Sequence, residues 1–253
     1  MKKAVLLTFF IMAAHDIYAQ DVYELHLTSD FQYTNRSNYT YVRLLKPYQN
    51  IWAFTDYDRK KNKIQTGFFT DSTFTRQTGY NRFYDNKKLV YEGNFSNGNP
   101  VGWWYFYNES EQLDDSLFYV TPTTKDALDT TINSKPDVPA EHLRDTSKLF
   151  NTVDVEADFI GGIKAWKKHL TKVLRFPNLA SDILPKGQRT SMIEFIVCTD
   201  GVICDLQVIQ STHPLLDLQA VKAVRTGGNW SPAEQNGRKV KAYRKQPVTF
   251  ILE

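Results

Sequence analysis

The chain has 253 residues, room for two modest domains, and with 42 % hydrophobic and 23 % charged residues it has the composition of a folded protein. Its net charge is +3 at pH 7, or +2 once Lys2, Lys3 and Asp16 of the first nineteen residues are set aside. So weak a balance leaves no clustered basic footprint, and nucleic-acid binding is not expected.

The amino terminus opens with Lys2 and Lys3, followed by an apolar run from Ala4 to Ala14 that His15 and Asp16 interrupt before Ile17-Tyr18-Ala19. Eleven helical residues span about 16 Å, well short of a hydrocarbon layer of about 30 Å. The layout predicts a secretory signal peptide over residues 1–19, cut after Ala19, with an uncleaved membrane anchor as the alternative. Gln20, not a cysteine, stands directly after the predicted cut, so a lipid anchor is not expected, and no later apolar run approaches eighteen residues.

Residues 20–113 read as β-hairpins with an internal repeat. The stretch from Tyr57 to Phe69 and the stretch from Tyr84 to Phe95 each run aromatic, polar turn, aliphatic, then Gly and aromatic, and a partial third copy runs from Gly102 to Leu113. Asp85-Asn86 and Asn97-Gly98 supply turn chemistry that reverses a strand. A single hairpin buries too little to stand alone, so neighbours must share a core. Gly93, Phe95, Asn97, Gly98, Pro100, Gly102, Trp103 and Tyr107 resemble a MORN-like repeat, which implies a β-meander scaffold more than a particular activity.

Residues 114–150 are predicted to be an acidic linker. Over 108–149 there are four Lys and Arg against nine Asp and Glu, a net of −5, with Pro and Thr accumulating and aromatics thinning out. Asp114 and Asp115 fall at its start, where solvated charge is the expectation.

Residues 151–253 carry the clearest pattern. Ile163, Trp166, Leu170, Val173 and Leu174 fall at helical spacing after Gly161-Gly162, and Pro177 ends that helix. A short helical piece from Asn178 to Leu184 is expected next. Ile193, Phe195 and Val197 alternate on one strand and Cys204, Leu206 and Val208 on the next, with Asp200-Gly201 between them. A two-residue turn pairs 197 with 204, 195 with 206 and 193 with 208, placing all six on one face. That register sends Cys198 and Cys204 to opposite faces, so a disulfide requires an altered turn. The five His show no ligand spacing near either Cys, and no metal site is expected. A second helix starts at Pro214, capped by Thr212 or His213, and stops at Gly227-Gly228. The last strand, from about Val240 to Leu252, contains Pro247, which has no amide to donate and belongs at a sheet edge.

This succession resembles the TonB carboxy-terminal domain family. The matching pieces are Asp158-Phe159-Ile160-Gly161-Gly162, Leu174-Arg175-Phe176-Pro177, Asp200-Gly201-Val202-Ile203 with Asp205, His213-Pro214 with Leu216-Asp217 and Ala220-Val221, Trp230 with Pro232-Ala233 and Asn236-Gly237, and Pro247-Val248 with Phe250. The likeness covers about Val155 to Leu252. It implies an α+β domain, a three-stranded antiparallel sheet with two helices on one face, preceded here by the mainly β repeat domain. It also implies a periplasmic or envelope location and a protein partner, an outer-membrane TonB-dependent receptor, held by β-strand addition. The free edge would be Ala242, Tyr243, Arg244 and Lys245, with Arg175 and Phe176 flanking it by resemblance. The family's transducers have an uncleaved anchor and a long Pro-rich spacer, which favours an accessory envelope protein. A genuine energy transducer and a passive structural scaffold are the alternatives. Met192, Ile196, Ile203, Ile209 and Ile251 are expected on the opposite sheet face, covered by the repeat domain, the linker or a second copy in a homodimer. No catalytic motif and no cofactor motif is present, so the chain is not expected to be an enzyme.

Overall fold

The computed structural model describes residues 22–119, 149–150, 152–177, 179–180, 184–228 and 230–252. The predicted signal peptide, most of the predicted linker and part of the helical piece at 178–184 lie outside the described residues.

Eight strands run in succession: β1 (Tyr23–Leu27), β2 (Tyr41–Tyr48), β3 (Ile51–Asp58), β4 (Lys63–Phe69), β5 (Gln77–Asp85), β6 (Lys88–Ser96), β7 (Asn99–Tyr107) and β8 (Leu113–Tyr119). Each pairs antiparallel with the next. The turns work as their residues require: Asn97 (φ 49°) and Gly98 (φ 82°) both take positive φ between β6 and β7, the mirror-image geometry that suits strand twist. At the preceding hairpin the positive angles fall on Asn86 and Lys87, one residue later than Asp85-Asn86.

The face that carries the core is aromatic, and its glycines make room for rings. A Cβ on Gly93 would sit 2.3 Å from the Trp104 ring, so the bare backbone of β6 is what lets that indole lie flat across it. Trp104 and Tyr91 are fully buried, and Phe83 stacks on Tyr91 with centroids 4.3 Å apart. Farther out, buried Arg43 forks onto buried Asp56 with two bonds of 2.8 Å, and the Gln65 amide donates to the same carboxylate at 2.7 Å.

The second half of the chain supplies β9 (Asp158–Phe159), α1 (Gly162–Val173), β10 (Gly187–Val197), β11 (Ile203–Gln210), α2 (Pro214–Arg225), β12 (Trp230–Ser231), β13 (Ala233–Gln235), β14 (Arg238–Val240) and β15 (Ala242–Leu252). His213 caps α2: its Nδ1 accepts the Leu215 amide hydrogen, and Pro214 occupies the first helical position.

Strands β11, β10 and β15 pair antiparallel as the sequence predicts, but they are not a separate three-stranded sheet. They complete an eleven-stranded sheet in the order β1 to β8, then β11, β10 and β15. The join is one parallel bridge, Val208 to Tyr119. It is reinforced by α2, because one apolar cluster runs from Phe83 and Trp104 through Leu215, Leu216 and Val221 to Phe250 and Leu252. Asp217, on the buried side of α2, accepts hydrogen bonds from Tyr119 Oη (2.9 Å), Ser191 Oγ (2.6 Å), Ser211 Oγ and the Thr212 amide (3.2 Å). Its acceptors thus tie β8, β10 and the loop before α2 together.

Two expectations about the linker change with this arrangement. Leu113–Tyr119 is a strand, so residues 114–119 belong to the sheet. Asp114 and Asp115 are not merely solvated: Lys222 Nζ lies 3.0 Å from Asp114, and Arg225 donates to Asp115 at 3.0 Å. Both cations stand in the last turn of α2, where positive charge also suits the helix dipole.

The β10–β11 hairpin keeps Ile193 opposite Val208 and Phe195 opposite Leu206, as derived from the pattern. Near the turn the register shifts, and Val197 faces Ile203 in place of Cys204. The extra residue turns Ile203 toward the core and frees Cys204 to join Cys198 in a disulfide, Cα atoms 5.9 Å apart. The expectation of opposite faces fails because it assumed a turn without a bulge. Gly201, φ 86°, closes the loop, and its carbonyl accepts the Trp230 amide at 2.8 Å. On the outer face Ile196 is buried, whereas Ile209 and Ile251 are exposed; nothing among the described residues covers them.

Candidate functional site

β15 is the terminal strand of the sheet. Its eleven residues pair with β10 from Gly187–Leu252 to Val197–Ala242 without a break. On its other side the described residues offer one isolated parallel bridge, Phe150 to Ala242, in which the Phe150 amide donates to the Lys241 carbonyl at 3.2 Å. Ala242, expected on a free edge, is bridged to Phe150, and a parallel bridge of this phase takes up the outward Lys241 carbonyl and the outward Tyr243 amide. That bond also fixes the phase of the strand. Backbone groups of successive residues point to alternate sides, so the outward series continues through Tyr243, Lys245, Pro247, Thr249 and Ile251. Pro247 falls in that outward series, where its missing amide costs the β10 ladder nothing. Arg244 and Gln246 turn their backbones to β10.

Beside this open side is a cavity of about 460 Å³ on the helix-covered face, walled by Phe159, Ile163, Trp166, Arg244, Gln246 and Pro247. Two features make it receptive. Its wall is aromatic: Phe159 and Trp166 have centroids 5.1 Å apart, and Trp230 packs behind both. It also has polar capacity at its mouth. Arg244 Nη2 stands 3.5 Å from Asp158 Oδ1, while its buried Nε has no hydrogen-bond partner. The amino terminus of α1 lies here too, opened by Gly161 in a left-handed conformation with no side-chain cap and no acid in its first turn. The cavity can take a side chain with an apolar body and a polar end from a strand laid along β15.

The predicted site residues divide. Tyr243, Arg244 and Lys245 stand at this edge. Arg175 and Phe176 do not join them: the Arg175 guanidinium folds back onto the Lys172 and Leu174 carbonyls, at the carboxy-terminal end of α1, and Phe176 packs against the main core. Twelve helical residues separate the two ends by about 18 Å. In their place stand Phe159 and Ile163. Helical spacing puts Ile163 in the core stripe, yet it is 62 % exposed because α1 buries only Trp166 completely.

Residues 176–252 match the family model described as the Gram-negative bacterial TonB protein C-terminal. The matched stretch contains β10, β11, α2 and β12 to β15, and leaves β1 to β9 and α1 outside. No curated protein and no solved structure matches the chain. Among the described residues no helix is long and apolar enough to cross a membrane.

Proposed function

We propose that this chain is an exported cell-envelope protein that captures an extended segment of a protein partner, an outer-membrane TonB-dependent receptor, by strand addition to β15. The family match over residues 176–252 supports a TonB-like protein-binding role. The observation that carries the reading is the outward series from the Tyr243 carbonyl through Lys245, lying beside an aromatic cavity at the end of the sheet. Unpaired amides and carbonyls accept a foreign strand, and a side-chain pocket gives it selectivity. Pro247 limits donation on that side and Phe150 occupies the Tyr243 amide, so an added strand is held chiefly by the Tyr243 carbonyl and the Lys245 backbone groups. The β-hairpin half then acts as a scaffold that shares its core with the binding domain, and no catalysis is assigned to it.

The phase of β15 chooses the test. Lys245→Pro removes an outward amide and spares the β10 ladder, whereas Arg244→Pro removes an inward amide and damages the fold. Capture from detergent-solubilised outer membranes, read by mass spectrometry, should lose its receptors with Lys245→Pro while thermal unfolding stays close to wild type. Recovery of the same receptors by the variant would sink the proposal. An energy transducer with a retained amino-terminal anchor would show the same loss. Sequencing the mature amino terminus separates it from the exported form.

A further inference from the structure

Helix α1 contains Lys164, Lys167, Lys168 and Lys172 and no acidic residue. All four lysines are exposed. At about 3.6 residues per turn they share an arc of about 140° on the side away from buried Trp166. Just past the helix, exposed Arg175 continues the row, its guanidinium held on the Lys172 and Leu174 carbonyls. The chain's net charge of +3 conceals this local excess, because it averages the row with acids elsewhere.

Local energetics give no reason for such a row. Lys164 lies three and four residues from Lys167 and Lys168, and Lys168 four from Lys172, spacings at which like charges repel on a helix. Lys164 also stands in the first turn, where the helix dipole disfavours a cation. None of the four lysines makes an ion pair among the described residues. On α2, by contrast, Lys222 and Arg225 meet Asp114 and Asp115. The acids nearest α1 in the chain, Glu156 and Asp158, precede it, and Asp158 already faces Arg244. The helix therefore carries self-repulsion that an anionic surface would relieve.

We propose that α1, with Ile160 beside it, rests on an anionic phospholipid bilayer. A sheet of phosphates suits a row of flexible lysines on a convex surface. An acidic peptide would need a groove or a strand edge to order it, and none of the four lysines borders the cavity beside β15. Ile160, 60 % exposed in the turn before α1, supplies an apolar side chain for the boundary between headgroups and acyl chains. The lysines point away from the sheet, so a bilayer laid on them leaves the outward side of β15 open. Membrane docking is independent of strand capture and needs no protein partner.

The test is cosedimentation with sucrose-loaded vesicles of phosphatidylcholine, either pure or with about 30 % phosphatidylglycerol. The chain is taken from Gln20 onward, which keeps every described residue and removes the apolar run from Ala4 to Ala14 that could bind lipid itself. Binding is expected to the anionic vesicles only, and should fall steeply between about 0.05 M and about 0.5 M salt. Each neutralised lysine should weaken partitioning about fivefold, so Lys164→Gln with Lys168→Gln should lose about twenty-five-fold. Ile160→Ser should weaken it at least about threefold. Lys46→Gln with Lys60→Gln, an equal change of net charge in the repeat strands, should leave it within about twofold. Thermal unfolding of each variant confirms that it is folded. Equal binding to both kinds of vesicle, wild-type partitioning by the α1 lysine pair or by Ile160→Ser, or an equal loss with the Lys46 and Lys60 pair would overturn the proposal. So would tighter binding to polyglutamate or duplex DNA than to the anionic vesicles.

Discussion

Asp217 is the most informative residue to perturb, because it is a buried carboxyl that forms no ion pair among the described residues. Its carboxylate is fully buried and meets three hydroxyls and one amide, all donors, drawn from β8, β10 and the turn before α2. Burial pushes its pKa above the ordinary carboxylate value, and the donors from Ser191, Ser211, Thr212 and Tyr119 pull the other way without cancelling it. Replacing it with Ala leaves four donors without an acceptor, of which Tyr119 and Ser191 are buried, at a cost of about 1–3 kcal/mol for each buried one taken singly and less than additive together. A loss of about 3–5 kcal/mol is expected, a large fraction of a domain's stability. Tyr119→Phe, which deletes a single donor to a charged acceptor, should cost about 1.5–3 kcal/mol. Asp217→Asn keeps the shape and removes the titration. A carboxyl whose folded pKa is raised stabilises most below its unfolded value and loses that contribution as pH rises through the folded one. The stability gap between wild type and Asp217→Asn should therefore narrow from about pH 4 upward, by at most about 1.4 kcal/mol per pH unit. Urea denaturation at closely spaced pH values, followed by tryptophan fluorescence and far-UV circular dichroism together, measures both effects. A gap that widens with pH, or an Asp217→Ala variant as stable as wild type, would refute the reasoning.

Two further outcomes follow from the packing. Gly93→Ala drives a methyl group to 2.3 Å from the Trp104 ring, so the indole must move; a loss of about 1–3 kcal/mol and a changed near-ultraviolet dichroism signal are expected. Reducing the Cys198–Cys204 bridge, or replacing both residues with Ser, opens a loop of sequence separation 6 and should lower stability by about 2 kcal/mol on the chain-entropy account, seen as a lower midpoint in reductant.

The sequence made local structure legible wherever one residue type had a single physical use. Asn97-Gly98 could only be a tight hairpin turn, Pro214 only the first turn of a helix, and Pro247 only an outward position on an edge strand. The alternation at Ile193, Phe195, Leu206 and Val208 fixed the middle of its hairpin for the same reason. What stayed hidden was long-range. The bridge from Val208 to Tyr119 joins strands far apart in the chain, and a parallel contact of one residue pair leaves no periodic trace. The bulge beside Cys204 was invisible because Asp200-Gly201 suits a two-residue turn equally well, and only the added residue brings the cysteines to one face. At the edge site, helical spacing assigned Ile163 to the core, since spacing reports which face a residue shares and not how far along the helix its neighbour extends.

The unbroken eleven-pair ladder between β10 and β15 also decides how the sheet would bear a mechanical load. Tension drawn along the axis of a strand laid on β15 acts parallel to that ladder, so its hydrogen bonds are strained side by side in shear and must yield together. Tension drawn across the sheet would open the same ladder one rung at a time from Leu252. The terminal strand is therefore a stiff anchor lengthwise and a peelable one sideways, and the direction of pull, more than its size, would decide whether a tethered partner is released or the domain unravels.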